Sequence, residues 1–533
     1  MSSYKSNYYT LGLCTMGNSS AALFKDNKLI AAVEEERLSR IKNDGQFPNL
    51  SIKEVLDIGS IDLSQVNHIA IYWQPWRIMG RLIGTTKKSF ISSTSRKGLL
   101  KRAFKTFLRD SNDDHESSWS DLFRIRQILK KSHGQFNASI SFYDHHITHQ
   151  EYGEKMKNLN DYISLSYDGG GETDSTVLSV VKSKRKTIIS KHKWPNSLGH
   201  FYSTFTGFLG FKMLEGEYKM MGLAPYGRPI FKDLILKEVL NIDRDGYYKL
   251  NLDLCDYHAA LEGKFNQKFI SLFGLPRSPK EDPNQKHIDL ACSVQAAFES
   301  AVINILKPAK RKFPEIKDLF ISGGCALNVT GNGKLLDSKI FNQIIIPPAP
   351  HDAGCSIGAG ICHLRDKIDI KSIRNPYLGR NFSEEEIYNV ILKICKKSPI
   401  RQEEDELIRE TVSLLIEGKL IAWFQGSAEF GPRALGARSF LADPRRDDIQ
   451  EVINSKIKKR ELFRPFAPST TQDSFKEFFE LKNPSPYMNI VGKVKSEKIP
   501  AVTHIDGTAR VHTVSENPVS YTHLTLPTNT VVL

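Results

Sequence analysis

His145 and His149 stand four residues apart in Asp144-His145-His146-Ile147-Thr148-His149, so on a helix both imidazoles face one side. Metal ligands use that spacing. Adjacent histidines also serve as ordinary surface or core hydrogen-bonders, and the strand-like ISFYD just before them leaves the helix itself open. Asp168 precedes Gly169-Gly170-Gly171-Glu172. An acid at a strand end ahead of glycines can hold a metal while backbone N–H groups cradle a phosphate. The same residues also make a plain hairpin turn. In GEYKMMGLAPYG, Glu217 and Lys219 suit a ribose and a phosphate, or a surface ion pair on a glycine-rich connection. Gly323 and Gly324, in SGGCALN, follow a strand and open a helix. Paired glycines admit an adenine or ribose close to the backbone, and tight helix–strand packing explains them as well. Asp352, in PPAPHDAG, falls at a helix start, where it would also serve as an N-cap.

The densest string is basic. GSAEFGPRALGARS and NSKIKKRELFRPFAP together carry Arg433, Arg438, Lys456, Lys458, Lys459, Arg460 and Arg464 among Gly and Pro. Arg forks and Lys point charges at this density fit a polyanion such as a nucleoside triphosphate or an acyl phosphate. A solvated basic helix fits less well, because Gly-Pro-Arg and Arg-Pro-Phe set the charges on constrained turns.

Elements of α/β type must position these groups. Residues 8–16 read as a strand, followed by the turn Gly17-Asn18-Ser19-Ser20, the strand AALF, the turn Asp26-Asn27 and the strand KLIAAVEEE. The same grammar returns as YISLSYD, Gly169-Gly170-Gly171 and DSTVLSVV. A strand–glycine turn–strand unit occurring twice predicts a duplicated α/β fold with two phosphate loops on one cleft. Residues 1–362 form this first region, 363–400 a charged, Pro-interrupted connector, and 401–517 a second α/β unit. That unit opens with a helix in EEDELIRETVSLLIEGK and a strand in LIAWFQ. Residues 518–533, PVSYTHLTLPTNTVVL, are Thr-rich and unpatterned, and read as a tail.

Composition bounds the partners. With 40% hydrophobic and 25% charged residues in a chain of 533, disorder, collagen and a small disulfide scaffold are excluded. No uninterrupted apolar run reaches the roughly 18 residues of a membrane span, and the start MSSYKSNYY has no apolar signal region. Seven cysteines, at 14, 255, 292, 325, 355, 362 and 395, form no C-x-x-C pair. They predict free thiols in a reducing compartment, hence a cytoplasmic location. The net charge of +14 favours anionic partners. Residues 81–109 hold nine Lys or Arg and no acid. They read as a solvated helical face, or as a surface for an acidic substrate, a lipid or nucleic acid, with no nucleic-acid fold signature beside them.

The strings AAVEEERLSRIK, DHHITH, GEYKMMGLAPYG, GGCALN, PPAPHDAG, EFGPRALGARS, KKRELFRPFAPS and HIDGTARVHTV, in this order, resemble the O-carbamoyltransferase family of nodulation-factor and antibiotic enzymes. They span about residues 8 to 515. The resemblance implies an N-terminal domain of the actin/hsp70/sugar-kinase superfamily and a C-terminal YrdC-like α/β domain. It implies that carbamoyl phosphate and ATP, with magnesium, give carbamoyl adenylate in the C-terminal domain. The carbamoyl group then passes in the N-terminal domain to a hydroxyl of a small-molecule or glycan acceptor, beside a divalent metal, typically iron(II). By position, the implied metal ligands are His145, His149, Asp168 and Asp352. The donors suit iron, manganese or zinc. The implied nucleotide contacts include Gly169, Gly170, Glu217 and Asn328, with Gly323 and Gly324 beside them. Lys458 and Arg460 match a phosphate-gripping Lys-x-Arg pair, and Arg433, Arg438, Arg464 and Arg510 are further candidates by charge and motif.

Two departures stand out. Many members carry His-Asp where this chain has Gly17-Asn18, which leaves the base for the acceptor hydroxyl unassigned. The resemblance stops near Asn517, short of the family's Asn-Thr-Ser-Phe-Asn segment, which predicts an incomplete second domain and an unrelated tail. Two alternatives stay open on the sequence: a tRNA threonylcarbamoyl-transferase-like enzyme and a basic nucleic-acid-binding protein.

Overall fold

The first strand, β1 (Tyr9–Cys14), is buried along its whole length, as a strand covered on both faces must be. It pairs antiparallel with β2 (Ser20–Lys25), which pairs antiparallel with β3 (Lys28–Glu34). The two-residue turn between β2 and β3 places Asp26 at φ 55°, a left-handed conformation that Asp tolerates. On its other side β1 runs parallel to β4 (His68–Ile71), and β4 parallel to β5 (Ser139–Phe142). The sheet order is β3-β2-β1-β4-β5.

A second sheet repeats this plan. β6 (Tyr162–Tyr167) pairs antiparallel with β7 (Asp174–Lys182), and β7 with β8 (Arg185–Lys193). A separate hairpin, β9 (Leu240–Ile242) and β10 (Tyr248–Leu250), follows. β6 then runs parallel to β11 (Asp318–Ser322), and β11 parallel to β12 (Gln343–Ile345). The order is β12-β11-β6-β7-β8. Each sheet therefore has an antiparallel three-strand meander on one side of its first strand and parallel strands on the other.

These sheets belong to one compact unit, Met1–Asn375; the other unit is Pro376–Leu533. The coordinates come from a computed structural model, which describes residues 7–77, 80, 120–254, 265–396, 398–515 and 530–532. The basic stretch 81–109 and Cys255 lie outside the described residues. The remaining six cysteines are free thiols.

Two helices matter for function. Helix Gly354–Leu364 is almost wholly buried, and its small residues let it lie against both a sheet and a helix. A Cβ on Gly360 would stand 2.2 Å from the Phe24 ring, and one on Gly358 would stand 2.0 Å from the Thr148 carbonyl oxygen. Gly358 therefore seats this helix on helix His145–Glu154, whose own Gly153 faces Ser322 at the end of β11. Helix Gln285–Lys312 has the length and hydropathy of a membrane span, a mean of 1.3 over 18 residues, which the sequence reading missed. Some 67% of that window is buried within the first unit, as in a core helix.

The second unit has shorter elements. β13 (Ile421–Phe424) pairs antiparallel with β14 (Arg438–Leu441). β15 (Pro468–Thr471) is followed by a hairpin of β16 (Val491–Lys493) and β17 (Thr508–Arg510), then by β18 (His512–Val514), which runs parallel to β15. β19 (Thr530–Val532), from the stretch read as an unpatterned tail, lies antiparallel along the other edge of β15. Its apolar clusters are small: Leu415, Leu441 and Val514 in one, Leu435, Ala467 and Met488 in another. The helix expected near residue 405 spans Glu404–Ile416. Within 363–400, read as a connector, lies a helix at Glu384–Cys395, started by a Ser383–Glu386 capping box.

Candidate functional site

Asp144 ends the connection after β5 and caps helix His145–Glu154, accepting from the Ile147 N–H at 3.1 Å. Arg77 pairs with the same carboxylate. The helix thus begins at His145, and His149 lies one turn on, on the same face. His146 points elsewhere, to the Ser166 hydroxyl at 2.8 Å and the Asp174 carbonyl at 2.9 Å. Asp168 follows β6 directly. Asp352 sits just ahead of helix Gly354–Leu364. It approaches Gly17, whose φ of 72° and missing Cβ leave room, since a Cβ there would stand 2.7 Å from the carboxylate.

The four side chains expected to hold a metal converge. One donor atom from each of His145, His149, Asp168 and Asp352 lies within 4.8 Å of the others. His149 Nε2 is 3.0 Å from Asp168 Oδ2 and 3.4 Å from Asp352 Oδ1; His145 Nε2 is 3.6 and 3.8 Å from the same two atoms. Both imidazoles are 1% exposed, while the Asp168 and Asp352 side chains are 15% and 22% exposed. Neither ring nitrogen of His145 has a hydrogen-bond partner. A buried unpaired imidazole is costly.

The protonation states express the same demand. Burial pushes His145 down to about 3. Burial also opposes charge on His149, but Cys355, Asp168 and Asp352 outweigh it and hold that imidazole well above the usual range. Asp168 is held well below the carboxylate range: burial opposes this, and His145 and His149 prevail. Burial and the Asp168 charge push Asp352 up to about 7. Without a cation, a charged His149 balances the carboxylates. A divalent cation among the four would replace that proton, with both imidazoles neutral and both carboxylates ionised. The donor set fits such an ion.

The expected nucleotide contacts gather partly around the same point. A Cβ on Gly324 would stand 3.1 Å from Asp168 Oδ1, and one on Gly323, at φ 93°, would stand 2.1 Å from the Tyr167 carbonyl oxygen. This loop therefore fits only as glycine against the end of β6. Gly169 faces His200, with a would-be Cβ 3.6 Å from Nε2, and Gly170 adjoins it at φ 154°. Glu217 accepts from the Ser203 hydroxyl at 2.6 Å and the Leu214 N–H at 2.8 Å, and burial raises its carboxyl. Asn328 is committed to packing: its Oδ1 caps helix Val329–Asp337 through Gly331 N–H at 2.8 Å, and its amide exchanges bonds with Gln295 at 2.9 and 3.0 Å.

In the second unit several cations cluster; among them Arg464 pairs with Glu461 at 3.6 Å. Arg433, Arg460 and Arg464 stand close enough to Arg510 that, after burial, their charges depress its guanidinium well below the usual range. Burial brings Arg433 down to about 10. Burial, then Arg460 and Arg464, lower Lys458. The Nε atoms of Arg433 and Arg510 are shut off from solvent with no partner. Among the described residues no carboxylate pairs with Arg433, Arg510 or Lys458. Asn454 holds Arg460 through a 2.7 Å bond to Nε, and the guanidinium lies over Phe466 at 4.8 Å. Arg438 stands apart: it donates to the Gln425, Ala437 and Gly426 carbonyls at 2.6, 2.8 and 3.0 Å and stacks on Phe424 at 3.4 Å.

Comparison with known families settles where these two units belong. The carbamoyltransferase N-terminus matches residues 9–361, and the carbamoyltransferase C-terminus matches residues 412–528. The chain belongs to the carbamoyltransferase family. The resemblance read from the eight strings is borne out, and the C-terminal match runs on into the stretch read as a tail. This carbamoyltransferase is 34% identical to the uncharacterized protein sll1178 of Synechocystis, over 93% of this chain and 85% of that protein. It is 34% identical to nodulation protein NolNO of Sinorhizobium fredii, over 94% and 70%. With nodulation protein NolO of Bradyrhizobium diazoefficiens it shares 35%, over 70% and 67%. Among solved structures, component A of the (R)-2-hydroxyglutaryl-CoA dehydratase of Acidaminococcus fermentans aligns with 69% of this chain and 100% of its own. That alignment has 14% identity and a TM-score of 0.36, too low for a common fold to follow from it.

Sequence reasoning overlooked two groups in this carbamoyltransferase. Glu172, 2% exposed, accepts from the Gln74 N–H at 2.8 Å and the His145 N–H at 3.3 Å, and so ties down the start of the histidine helix. Its position in Asp-Gly-Gly-Gly-Glu was the available signal. Cys355, fully buried beside His149, was visible only as the third residue after Asp352.

Proposed function

We propose that this transferase moves a carbamoyl group from carbamoyl phosphate to a hydroxyl of a small-molecule or glycan acceptor, through carbamoyl adenylate made with ATP and magnesium in a reducing, cytoplasmic setting. The first unit is the actin/hsp70/sugar-kinase-like transfer domain, and the second the YrdC-like adenylate-forming domain. The observation that carries the reading is the arginine cluster of the second unit, in which, among the described residues, no carboxylate pairs with Arg433, Arg510 or Lys458. Arg433, Arg460, Arg464, Arg510 and Lys458 there grip the phosphate oxygens of carbamoyl phosphate and ATP. They stabilise the negative charge that grows on the leaving phosphate. Arg438, turned to backbone carbonyls, shapes the neighbouring turn.

In the first unit, His145, His149, Asp168 and Asp352 hold a divalent metal, iron(II) or its neighbours manganese and zinc. Such an ion supplies Lewis acidity toward a developing oxyanion. Gly169, Gly170, Gly323, Gly324 and Glu217 receive the nucleotide end of the donor, close to that centre, and Asn328 fixes the helix behind them. The acceptor oxygen bonds to the carbamoyl carbon and gives up its proton to solvent, the bond from that carbon to the adenylate oxygen breaks, and AMP leaves.

Mass spectrometry tests the reaction class. After incubation with carbamoyl phosphate, ATP and a panel of alcohols and glycans, one acceptor gains a single carbamoyl group. ATP consumption that is independent of carbamoyl phosphate, with no acceptor gaining mass, contradicts the reading.

A further inference from the structure

Asp352 and Cys355 belong to one short segment and reach the same two imidazoles from different depths. The donor atoms of His145, His149 and Cys355 lie within 4.8 Å of one another, as do those of His145, His149, Asp168 and Asp352. The two sets share the histidines. They differ in burial: Cys355 is 0% exposed, whereas the two carboxylate side chains reach solvent at 15% and 22%. Packing fixes the thiol in place. Cys355 lies in the first turn of helix Gly354–Leu364. There Gly354 and Gly358 press the helix so closely that a Cβ on either would stand 2.0 Å from the carbonyl oxygen of Ala349 or Thr148. Cys14, also buried nearby, is occupied differently, donating to the Met16 carbonyl at 3.3 Å. An independent observation points to a ligand here: His145 is buried with both ring nitrogens unpaired.

Donor chemistry separates the two sets. Carboxylate oxygens suit the harder divalent cations, while a thiolate with two imidazoles selects thiophilic ones. We propose that the centre carries a second, sulfur-bearing donor set, His145–His149–Cys355, which takes a thiophilic divalent cation such as zinc, cobalt or cadmium. The inference rests on the reading that the two histidines hold a metal. The Cys355 proton is released to solvent as the metal–sulfur bond forms. Zinc and manganese are then held differently by one site, and Cys355 decides between them.

Cobalt(II) titration of the full chain is the test, read by metal stoichiometry and by the thiolate-to-cobalt charge-transfer band. The wild type binds one His149-dependent equivalent and shows the band. Cys355→Ser binds cobalt without the band, and His149→Ala loses both. In competition, Cys355→Ser weakens zinc by at least about tenfold and leaves manganese as in the wild type. His149-dependent cobalt binding with no thiolate band in the wild type, or a band that survives in Cys355→Ser, overturns the sulfur set and leaves the four-ligand reading standing. Equal cobalt binding in wild type and His149→Ala overturns the four-ligand reading, and this inference with it.

Discussion

The two candidate sites solve the same electrostatic problem in opposite ways. In the first unit the carboxylates of Asp168 and Asp352 face the imidazoles of His145 and His149 at 3.0 to 3.8 Å. In the second unit burial, and after it the charges of Arg433, Arg460 and Arg464, push Arg510 well below the usual range. In the first site Cys355, Asp168 and Asp352 favour a proton on His149 over the opposition of burial. In the second, Arg433, Arg510 and Lys458 have no carboxylate partner among the described residues, and a bound anion would supply one. Scaffold differs in the same sense. Two five-stranded sheets fix the first site, while sheets of two or three strands and small apolar clusters carry the second. A preorganised site is suited to transfer chemistry, and an unbalanced cationic one to capturing and activating a polyanion.

Substitutions should therefore have opposite signs in the two units. The largest effect is expected for Asp168→Asn in metal-free protein, which strands a charged His149. Breaking a buried pair costs about 3 kcal/mol, at the low end because Asp352 remains. Urea denaturation reads it, and an unchanged midpoint would show that the pair contributes nothing. Next, Arg460→Ala removes a charged hydrogen bond to phosphate, about 1.5–3 kcal/mol, or ten- to a hundredfold in the rate of adenylate formation. Wild-type adenylate formation would reduce Arg460 to a surface charge.

Smaller, and of the opposite sign, is Arg510→Met. It removes an uncompensated half-buried charge and should stabilise the ligand-free chain by about 1 kcal/mol while abolishing adenylate synthesis. Loss of stability together with activity would mean that the cluster is internally compensated after all.

Acid is expected to act least near neutrality. Burial lowers His68 and His192 to about 4 in the first unit and His512 to about 3 in the second. These groups stay neutral when folded while the unfolded chain takes up protons near 6.5, so stability present above that pH is lost as it falls toward 4. At pH 6 each histidine costs about 0.8 kcal/mol. A urea midpoint that does not move between pH 7.5 and 6 contradicts this.

Sequence legibility differed between the sites for physical reasons. His145, His149 and Asp168 could be read because a one-turn helical spacing and a strand-end acid are local properties. The first meander and the β6–β7 pair of the second were legible for the same reason, whereas β8 was not read. β11 and β12 were legible as strands, but their parallel alignment beside β6 was not, since they join it only after a long excursion through other elements. Cys355 escaped because a cysteine in a glycine-rich apolar helix reads as core, and only packing reveals its neighbour. Arg438 was grouped with the phosphate-binding cations on charge density, which cannot tell a guanidinium facing a pocket from one bonded to carbonyls. Asn328 carried a motif signal that the structure gives a capping role.

The most direct measurement of the two-site account is the amount of carbamoyl adenylate and of carbamoylated acceptor formed by wild type and His149→Ala, read by mass spectrometry in one reaction. The account predicts that His149→Ala still makes adenylate and accumulates it, while acceptor carbamoylation falls with metal content. Loss of adenylate synthesis in His149→Ala, or undiminished transfer, would contradict the division of labour between the two units.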